Sequence, residues 1–243
     1  MGPQPPEGNP LNLPAPAPHD EGAQSARPPV RQGPLRLGIL ISGRGSNMVA
    51  IAHAIREGRL KGVEIAIVIS NMSNVCGLAV TRELGLPSAV FVSKGRPRAE
   101  HDADVIACLR EHNVDLVILA GYMRLLSPEF IAAFPDRILN IHPSLLPAFP
   151  GLDAQQQAFD YGVKFTGCTV HFVDEHLDNG VIVVQRVVPV LETDDAKTLS
   201  ARILKEEHQA YSEAIALVAS GEYEIQARRY VKRKVPTPIP AQL

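Results

Sequence analysis

Short runs of valine, isoleucine and leucine alternate with helical patterns through the first part of this chain, and that alternation limits the folds open to it. The runs are nearly continuous in apolar residues, as expected of strands that are buried on both faces. They occupy residues 35–41, 63–70, 89–92 and 114–120. Helical patterns occupy residues 48–57, 76–84 and 98–112 between them. This order predicts a parallel sheet covered by helices on both faces.

The second half of the chain predicts a different arrangement. A short apolar run ending at Leu139 reads as one more buried strand, and a helix is predicted over 153–161. Strands over 165–173 and 181–190 are separated by only a short loop, which favours antiparallel pairing. A long helix over about 194–220 takes Thr193 or Asp194 as its N-cap and ends at Gly221. We therefore expect one α/β domain over residues 35–227, built on a Rossmann-like mixed, mostly parallel sheet with helices on both faces.

The two ends of the chain differ from this domain. Residues 1–34 hold ten of the 21 prolines and almost no large apolar side chains. Such a segment buries too little surface to offset its ordering entropy, so a disordered tail is predicted. Residues 228–243 form a basic C-terminal extension whose cationic run, 228–234, is expected to be an exposed edge.

Charge and cysteine content exclude several classes of function. A net charge of -2 predicts neither a nucleic-acid partner nor a membrane surface, and no run of 18 apolar residues is present. The three cysteines, Cys76, Cys108 and Cys168, are scattered. They suggest neither a disulfide framework nor a metal site, which suits a reducing cytoplasm. We expect small-molecule partners, with the chain a monomer or a homodimer.

The loop 43–47, Gly-Arg-Gly-Ser-Asn, joins the first strand to the first helix. Free backbone N–H groups and the helix dipole make such a junction suitable for an anion. A dinucleotide fingerprint would need a third glycine where Met48 stands, and the second strand ends in Ser70-Asn71 without the expected acid. A single phosphate therefore fits better than NAD. A plain tight turn is an equal alternative for the loop taken alone.

Asn140 and His142 follow a buried strand and stand two residues apart. In extended backbone they project from the same face, where an amide and an imidazole can hold a carbonyl oxygen and move a proton. Prolines at 143, 147 and 150 then stiffen the loop that follows. A core strand that ends in a surface histidine is the alternative, and a lone Asn-x-His pair favours it.

The segment 171–180 contains two histidines and a turn around Asp178. A turn aspartate is most often structural, but it can also stabilise the charged form of a nearby histidine. A metal site formed by His171, Glu175 and His176 is a further alternative, although their spacing matches no recognised site.

The long helix carries an apolar stripe that includes Ile203 and Tyr211, and Glu207 falls on it. A carboxylate on an inner face needs a partner, which can be an internal arginine, a backbone cap or a polar ligand. Glu206 is predicted to point outward and to pair with Arg202.

Four motifs in this order resemble the phosphoribosylglycinamide formyltransferases, also called glycinamide ribonucleotide transformylases, a folate-dependent formyltransferase family. They are residues 41–47, 119–128, 140–151 and 171–180, and the resemblance extends over about 37–226. Each motif alone is weak; their combination is specific. The resemblance implies the formyltransferase fold.

The family transfers the formyl group of 10-formyltetrahydrofolate to the amine of glycinamide ribonucleotide in de novo purine biosynthesis. The products are formylglycinamide ribonucleotide and tetrahydrofolate, and the resemblance implies neither a metal nor a covalent enzyme intermediate. It implies that the catalytic residues are Asn140, His142 and Asp178. The resemblance therefore favours the functional interpretation of Asp178 over the structural one. The residues implied to bind the ribonucleotide are Gly45, Ser46, Asn47, Leu204, Lys205, Glu206 and Glu207. Those implied to bind the folate are Arg98, Met123, Arg124, Leu125, Leu126, Asn140, Asp174, Glu175, His176, Leu177 and Asp178.

The chain departs from the family pattern in places that do not include these three catalytic residues. Residues 152–156, Leu-Asp-Ala-Gln-Gln, replace a stretch that carries histidines in some relatives, and Asn179 stands where glycine is frequent. The basic run 228–234 suggests a weaker hypothesis, that it attracts the polyglutamate tail of cellular folates.

Three other functions share part of this pattern. A formyltetrahydrofolate deformylase uses the same Asn, His and Asp but normally carries a further regulatory domain, and methionyl-tRNA formyltransferase needs a further C-terminal domain and a more basic surface. A non-catalytic nucleotide-binding module would keep the phosphate loop without any reason to group Asn140, His142 and Asp178.

Overall fold

The computed structural model describes residues 33–234, which form a seven-stranded sheet, a two-stranded hairpin and six helices. The strands of the sheet are β1 (Leu35–Ile41), β2 (Val63–Ser70), β3 (Ser88–Val90), β4 (Leu116–Leu119), β5 (Ile138–His142), β6 (Phe165–Phe172) and β7 (Ile182–Pro189). The helices are α1 (Ser46–Arg56), α2 (Cys76–Glu83), α3 (Arg98–Glu111), α4 (Pro128–Ala133), α5 (Ala154–Tyr161) and α6 (Ala196–Ser220). The hairpin consists of β8 (Tyr223–Gln226) and β9 (Arg229–Lys232).

The sheet has the order β3-β2-β1-β4-β5-β6-β7. Strands β1 to β5 pair in parallel, whereas β6 pairs antiparallel with both β5 and β7. The predicted mixed, mostly parallel α/β fold is therefore confirmed. No helix within residues 33–234 is long and apolar enough to cross a membrane.

Two apolar clusters cover the two faces of the sheet. One includes Met48 and Ile51 of α1 and Ile203 of α6, packed on Ile39 and Ile118. The other is formed by side chains of α3 and α4 packed on the opposite face. Continuous apolar strands are thus explained by burial on both sides, as their sequence indicates.

Tyr211 of α6 is fully buried and links the sheet to this helix. Its hydroxyl lies 2.8 Å from the carbonyl oxygen of Leu119 and 3.1 Å from that of Leu139. The helix is thereby fixed beside the carboxyl ends of β4 and β5.

Three details differ from the sequence predictions. Helix α4 was not predicted, although Ser127 caps it and Pro128 occupies its first turn; six residues are too few to show a helical period. The N-cap of α6 is Asp195 rather than Thr193 or Asp194, with a reciprocal capping box to Thr198. The predicted pairing of Glu206 with Arg202 is also wrong.

Competition between ion pairs explains this last difference. Arg202 instead contacts Asp194 at 2.6 Å, and Glu206 lies 3.3 Å from Arg186 on β7. A pairing between two residues of one helix is weak, so each of the two residues takes a partner outside the helix instead.

The predicted proline-rich tail lies outside the described residues except for Gly33 and Pro34, as do residues 235–243 of the predicted extension. The sequence boundary between 227 and 228 falls in the turn of the β8–β9 hairpin. Tyr230 of this hairpin packs edge-on against Phe172 of β6, with ring centroids 5.4 Å apart, so part of the basic run is attached to the domain.

Candidate active site

The candidate site lies at the carboxyl ends of β1, β4 and β5. Strand β1 pairs with β2 on one side and β4 on the other, so the connections that follow β1 and β4 leave in opposite directions along the sheet. Such a switch point opens a crevice outside the strand ends, which is where open α/β sheets bind ligands. The 43–47 loop and residues 120–127 follow strands that end at this edge, and Asn140 and His142 are at the end of β5 itself.

The 43–47 loop leads directly into α1. Gly45 has φ +72°, a left-handed conformation that favours glycine. Gly77 of α2 packs so closely that a Cβ there would lie 2.8 Å from the carbonyl oxygen of Gly43. The loop is therefore shaped by backbone packing, and the first N–H groups of α1, beginning at Ser46, are directed as an anion site requires.

Asn47 and Glu207 join this loop to α6. The Asn47 Nδ2 group donates to Glu207 Oε2 at 2.8 Å, and both side chains are buried. Burial raises the pKa of Glu207 above its ordinary value, although the hydrogen bond from Asn47 acts in the opposite sense. Asn47 Oδ1 has no hydrogen-bond partner although it is buried. An unpaired buried acceptor beside a buried carboxyl group is suited to a ligand that brings its own hydroxyl groups.

His142 lies between two acceptors. Its Nδ1 is 3.3 Å from Asp178 Oδ2, and its Nε2 is 2.7 Å from the carbonyl oxygen of Phe149. The side chains of His142 and Asp178 are 5% and 9% exposed. Each ring nitrogen of His142 therefore faces an acceptor, a carboxylate oxygen on one side and a carbonyl oxygen on the other. The separation between His142 and Asp178, which the sequence left open, is therefore a direct contact.

Asn140 contacts a second histidine. His171 Nδ1 lies 2.8 Å from the carbonyl oxygen of Phe172, and His171 Nε2 lies 3.3 Å from Asn140 Nδ2. Burial lowers the pKa of His171 more than the Phe172 carbonyl and the Asp178 carboxylate raise it. A neutral ring with its hydrogen on Nδ1 then accepts from Asn140, which fixes the direction of that amide.

The sequence did not identify His171 as a neighbour of Asn140. Their cross-strand pairing depends on the register between β5 and β6, in which Asn140 lies opposite His171. Tertiary packing sets that register.

The backbone around Asp178 places its carboxylate beside His142. Asp178 adopts φ +49°, and its Oδ2 accepts a hydrogen bond from the N–H of Gly151 at 2.8 Å. Arg228, in the turn of the C-terminal hairpin, donates to the carbonyl oxygen of Asn179. Asp178 is therefore held from the loop after β5 and from the hairpin.

The residues expected to line a folate pocket lie on two neighbouring loops and one helix. In the first loop Met123 and Leu125 are exposed, with Met123 at 73%, and the buried Nε of Arg124 has no hydrogen-bond partner. In the second loop Leu177 is exposed, and Asp174 Oδ1 accepts from the His176 N–H at 2.8 Å. Exposed apolar side chains at the mouth of a crevice suit a flat, partly apolar ligand.

The remaining members of the expected set lie around these loops. Arg98 begins α3 and is exposed, as is Glu175. Leu126 packs against the second apolar cluster. On α6, Glu207 contacts Asn47, whereas Lys205 is exposed and Glu206 is turned to Arg186; Leu204 is half-buried. Of these four α6 residues, Glu207 is thus the one that forms a hydrogen bond with the 43–47 loop.

The metal alternative is not supported by the geometry of its residues. His171 is buried on β6, whereas His176 is largely exposed and turned towards Asp174. Between residues 33 and 234, no three His, Cys, Asp or Glu side chains gather as metal ligands would.

Comparison with known proteins gives consistent results. Residues 35–215 match the family described as formyl transferase. Over 75% of its length the chain is 38% identical to the phosphoribosylglycinamide formyltransferase of Escherichia coli, covering 86% of that protein. Over 87% of its length it superposes with a TM-score of 0.81 and 46% identity on glycinamide ribonucleotide transformylase 1 of Symbiobacterium toebii, covering all of that structure.

A longer relative shows the same region inside a larger protein. The chain is 47% identical over 189 residues to the trifunctional purine biosynthetic protein adenosine-3 of Drosophila pseudoobscura pseudoobscura. The match covers 76% of this chain but only 14% of the length of that relative. Because the bacterial proteins are matched over nearly their whole length, the chain belongs to the formyl transferase family, among the phosphoribosylglycinamide formyltransferases.

Proposed function

We propose that this protein transfers the formyl group of 10-formyltetrahydrofolate to the amine of glycinamide ribonucleotide. The observation that supports this most directly is the contact between His142 and Asp178, beside Asn140, at the end of β5. The 43–47 loop and the two folate-lining loops meet the same edge of the sheet. One substrate can therefore approach from each side of the three residues.

In the proposed reaction the substrate amine attacks the formyl carbon, and negative charge develops on the formyl oxygen. The Asn140 amide and positively charged His142 stabilise that charge. His142 is buried and Asn140 half-buried, and donors held in such a site are effective because they need little reorganisation and are less screened by water. Each such donor typically contributes about 2–4 kcal/mol to the transition state.

The proton balance follows from the bonds that change. The bond between the formyl carbon and the N10 atom of the folate breaks, the amine nitrogen loses one proton, and N10 gains one. His142 relays this proton. Both of its ring nitrogens are engaged, with Asp178 and Phe149, so the relay requires one of these two contacts to open. The products are formylglycinamide ribonucleotide and tetrahydrofolate.

The ribonucleotide takes the side of the site formed by α1 and α6. Its phosphate binds the backbone of Gly45, Ser46 and Asn47 at the start of α1. The ribose hydroxyl groups donate to Glu207 and to the unpaired Asn47 Oδ1. The adjoining turn of α6, Leu204, Lys205 and Glu206, borders the ribose in this proposal.

The folate takes the opposite side. Its pterin lies between the 123–126 segment and the 174–178 loop, and Arg98 attracts the carboxylates of its tail. Holding both substrates across Asn140 and His142 converts a reaction of two molecules into one within a complex, which lowers the entropic cost of the barrier. The expected cytoplasmic location stays a prediction.

The direct test uses the complete chain and two incubations. We expect tetrahydrofolate to form from 10-formyltetrahydrofolate only when glycinamide ribonucleotide is present, with one formylated ribonucleotide for each folate consumed. Release of formate without the ribonucleotide would identify a deformylase instead. Binding of the ribonucleotide without turnover in either incubation would identify a non-catalytic binding module.

The Glu207→Gln variant tests whether Glu207 binds the ribonucleotide and not the folate. Gln keeps the acceptor for Asn47 but loses the charge that attracts ribose hydroxyl groups, so the KM for glycinamide ribonucleotide should rise about tenfold while the KM for folate stays within twofold. An equal rise for both substrates would contradict the placement of α6.

The pKa of Glu207 predicts that the same variant is more stable at neutral pH. Because the folded-state pKa is raised, the folded protein binds the proton more tightly than the unfolded chain, and stability falls as pH rises from 4.5 through the folded pKa. Gln carries no such penalty, so Tm at pH 7 should rise by about 2 °C, which corresponds to roughly 0.5–1 kcal/mol. The difference should vanish below pH 4.5. Thermal unfolding at pH 4 and pH 7 measures both values.

The basic hairpin can contribute to binding of the folate tail, and we propose that Arg229 and Lys234 attract polyglutamate. Lys232 lies 3.0 Å from Glu222 and Arg233 lies 3.7 Å from Glu224, so these two charges are partly neutralised. Arg228 is directed to the carbonyl oxygen of Asn179. Exposed charges about 10 Å from a ligand change affinity by roughly twofold each. The double variant Arg229→Ala/Lys234→Ala should reduce the preference for polyglutamylated over monoglutamylated folate about fourfold, less at high salt. An unchanged preference would rule this role out.

A further inference from the structure

A buried histidine–aspartate pair lies near the start of α3, outside the residues considered so far. The side chains of His101 and Asp102 are 0% and 1% exposed. Burial of a carboxylate is unfavourable unless its oxygens receive hydrogen bonds or a positive charge. The contacts of the pair therefore indicate what it holds together.

Asp102 contacts the end of the folate-lining loop. Its Oδ2 accepts a hydrogen bond from the backbone N–H of Ser127 at 2.7 Å, and its Oδ1 lies 3.1 Å from His101 Nδ1. Ser127 follows Leu126 directly and caps α4. The carboxylate thus fixes the point at which the loop joins that helix.

His101 contacts a second connection. Its Nε2 lies 2.9 Å from the carbonyl oxygen of Phe91, in the segment between β3 and α3. Both ring nitrogens therefore face acceptors, the Asp102 carboxylate and the Phe91 carbonyl, so the ring bridges the two. Phe91 and Leu126 also pack against the same apolar cluster. The pair joins the segment that leads into Arg98 to the loop that carries Met123.

The other end of this loop is held by Ser42. The N–H of Met123 donates to Ser42 Oγ at 2.8 Å, and the N–H of Ser42 donates to the carbonyl oxygen of Gly121 at 3.2 Å. Between these two attachments Met123 and Leu125 are exposed. An exposed loop keeps one shape when its ends are fixed, and here the two ends are fixed by Ser42 and Asp102.

We propose that His101 and Asp102 are positioning residues that fix residues 121–126 in the shape that binds folate. The proposal rests on the proposed function only in naming folate as the ligand of that loop. Neither residue touches the reacting atoms. Their effect is to lower the conformational entropy that the loop loses when ligand binds, which strengthens binding without a new contact.

Two substitutions at Asp102 separate hydrogen bonding from charge. Asp102→Ala removes the acceptor for Ser127, whereas Asp102→Asn keeps an amide oxygen that can accept from the Ser127 N–H. We expect Asp102→Ala to raise the KM for 10-formyltetrahydrofolate about tenfold and to leave the KM for glycinamide ribonucleotide within twofold. Asp102→Asn should restore most of the folate affinity.

Glu111→Gln is the matched control, because Glu111 is an exposed acid at the far end of the same helix. It should change neither KM. A purely structural role of Asp102 would change Tm and would affect both substrates alike. Equal changes in the two KM values for Asp102→Ala, or no change in either, would overturn the proposal.

A measurement on the unmodified protein tests the same bond without any assay of turnover. Tetrahydrofolate should slow hydrogen exchange at the Ser127 amide by about tenfold at saturation, because opening of the loop and binding of folate exclude each other. Glycinamide ribonucleotide should leave that amide unchanged. If tetrahydrofolate binds without slowing exchange at Ser127, the positioning role of His101 and Asp102 is wrong even if formyl transfer is confirmed. If formyl transfer fails but tetrahydrofolate protects the amide, the positioning role stands and the proposed function is wrong.

Discussion

The His142→Ala variant should lose about 10³-fold in kcat, since the residue contributes both a positive charge near the formyl oxygen and the route of the proton. Its side chain is enclosed by Asp178 and the Phe149 carbonyl, so its loss removes one donor from each of these two acceptors, while Asp178 keeps the hydrogen bond from the Gly151 N–H. Neither substrate depends on the ring for most of its contacts. Both KM values should therefore stay within about threefold.

The measurement is steady-state turnover with each substrate varied at saturation of the other. His53→Ala is the matched control, because His53 lies on the outer side of α1 and pairs only with neighbours such as Glu57. It should keep full activity. A kcat for His142→Ala within tenfold of the unmodified protein would remove His142 from the mechanism.

The Asp178→Asn variant should lose about 10²–10³-fold in kcat, because an amide cannot stabilise a positively charged ring as a carboxylate does. Asn has only one side-chain oxygen, so its N–H₂ group takes the place of one of the two carboxylate oxygens of Asp178. In the unmodified protein, Asp178 Oδ2 accepts from the Gly151 N–H at 2.8 Å. The left-handed backbone at residue 178, φ +49°, suits Asn as well as Asp, so the loop should keep its shape. Substrate binding should persist.

Asp160→Asn is the control for Asp178→Asn, since Asp160 is a side chain of α5 whose carboxylate accepts a hydrogen bond from Gln156 at 2.7 Å. It should keep full activity. A kcat for Asp178→Asn within tenfold of the unmodified protein would remove Asp178 from the mechanism.

The strands and most of the helices follow from short-range patterns. Near-continuous apolar runs predict β1, β2 and β4, and glycines at 85, 162 and 221 mark the ends of helices α2, α5 and α6. These features depend on residues close together in the chain, so local patterns predict them. Short elements were the exception: α4 has six residues, and its capping Ser127 was not recognised.

The inward position of Glu207 was also determined by the sequence, because helical spacing places it on the apolar stripe with Ile203. Its partner was not. Asn47 lies 160 positions away, and the approach of α1 to α6 across the sheet decides their contact.

The amino-acid sequence by itself determined the α/β class, the strand–helix order and, through four motifs, the family resemblance. Only the tertiary structure decided that His142 touches Asp178, that His171 orients Asn140, and that Asp102 holds Ser127. The physical reason is that secondary structure reflects periodicity along the chain, whereas side-chain contacts depend on register and packing between distant segments. Asn140 and His142 lie at the end of β5, and Asp178 lies in the turn after β6. They form one site because β6 runs antiparallel beside β5 and brings that turn towards the segment that follows β5.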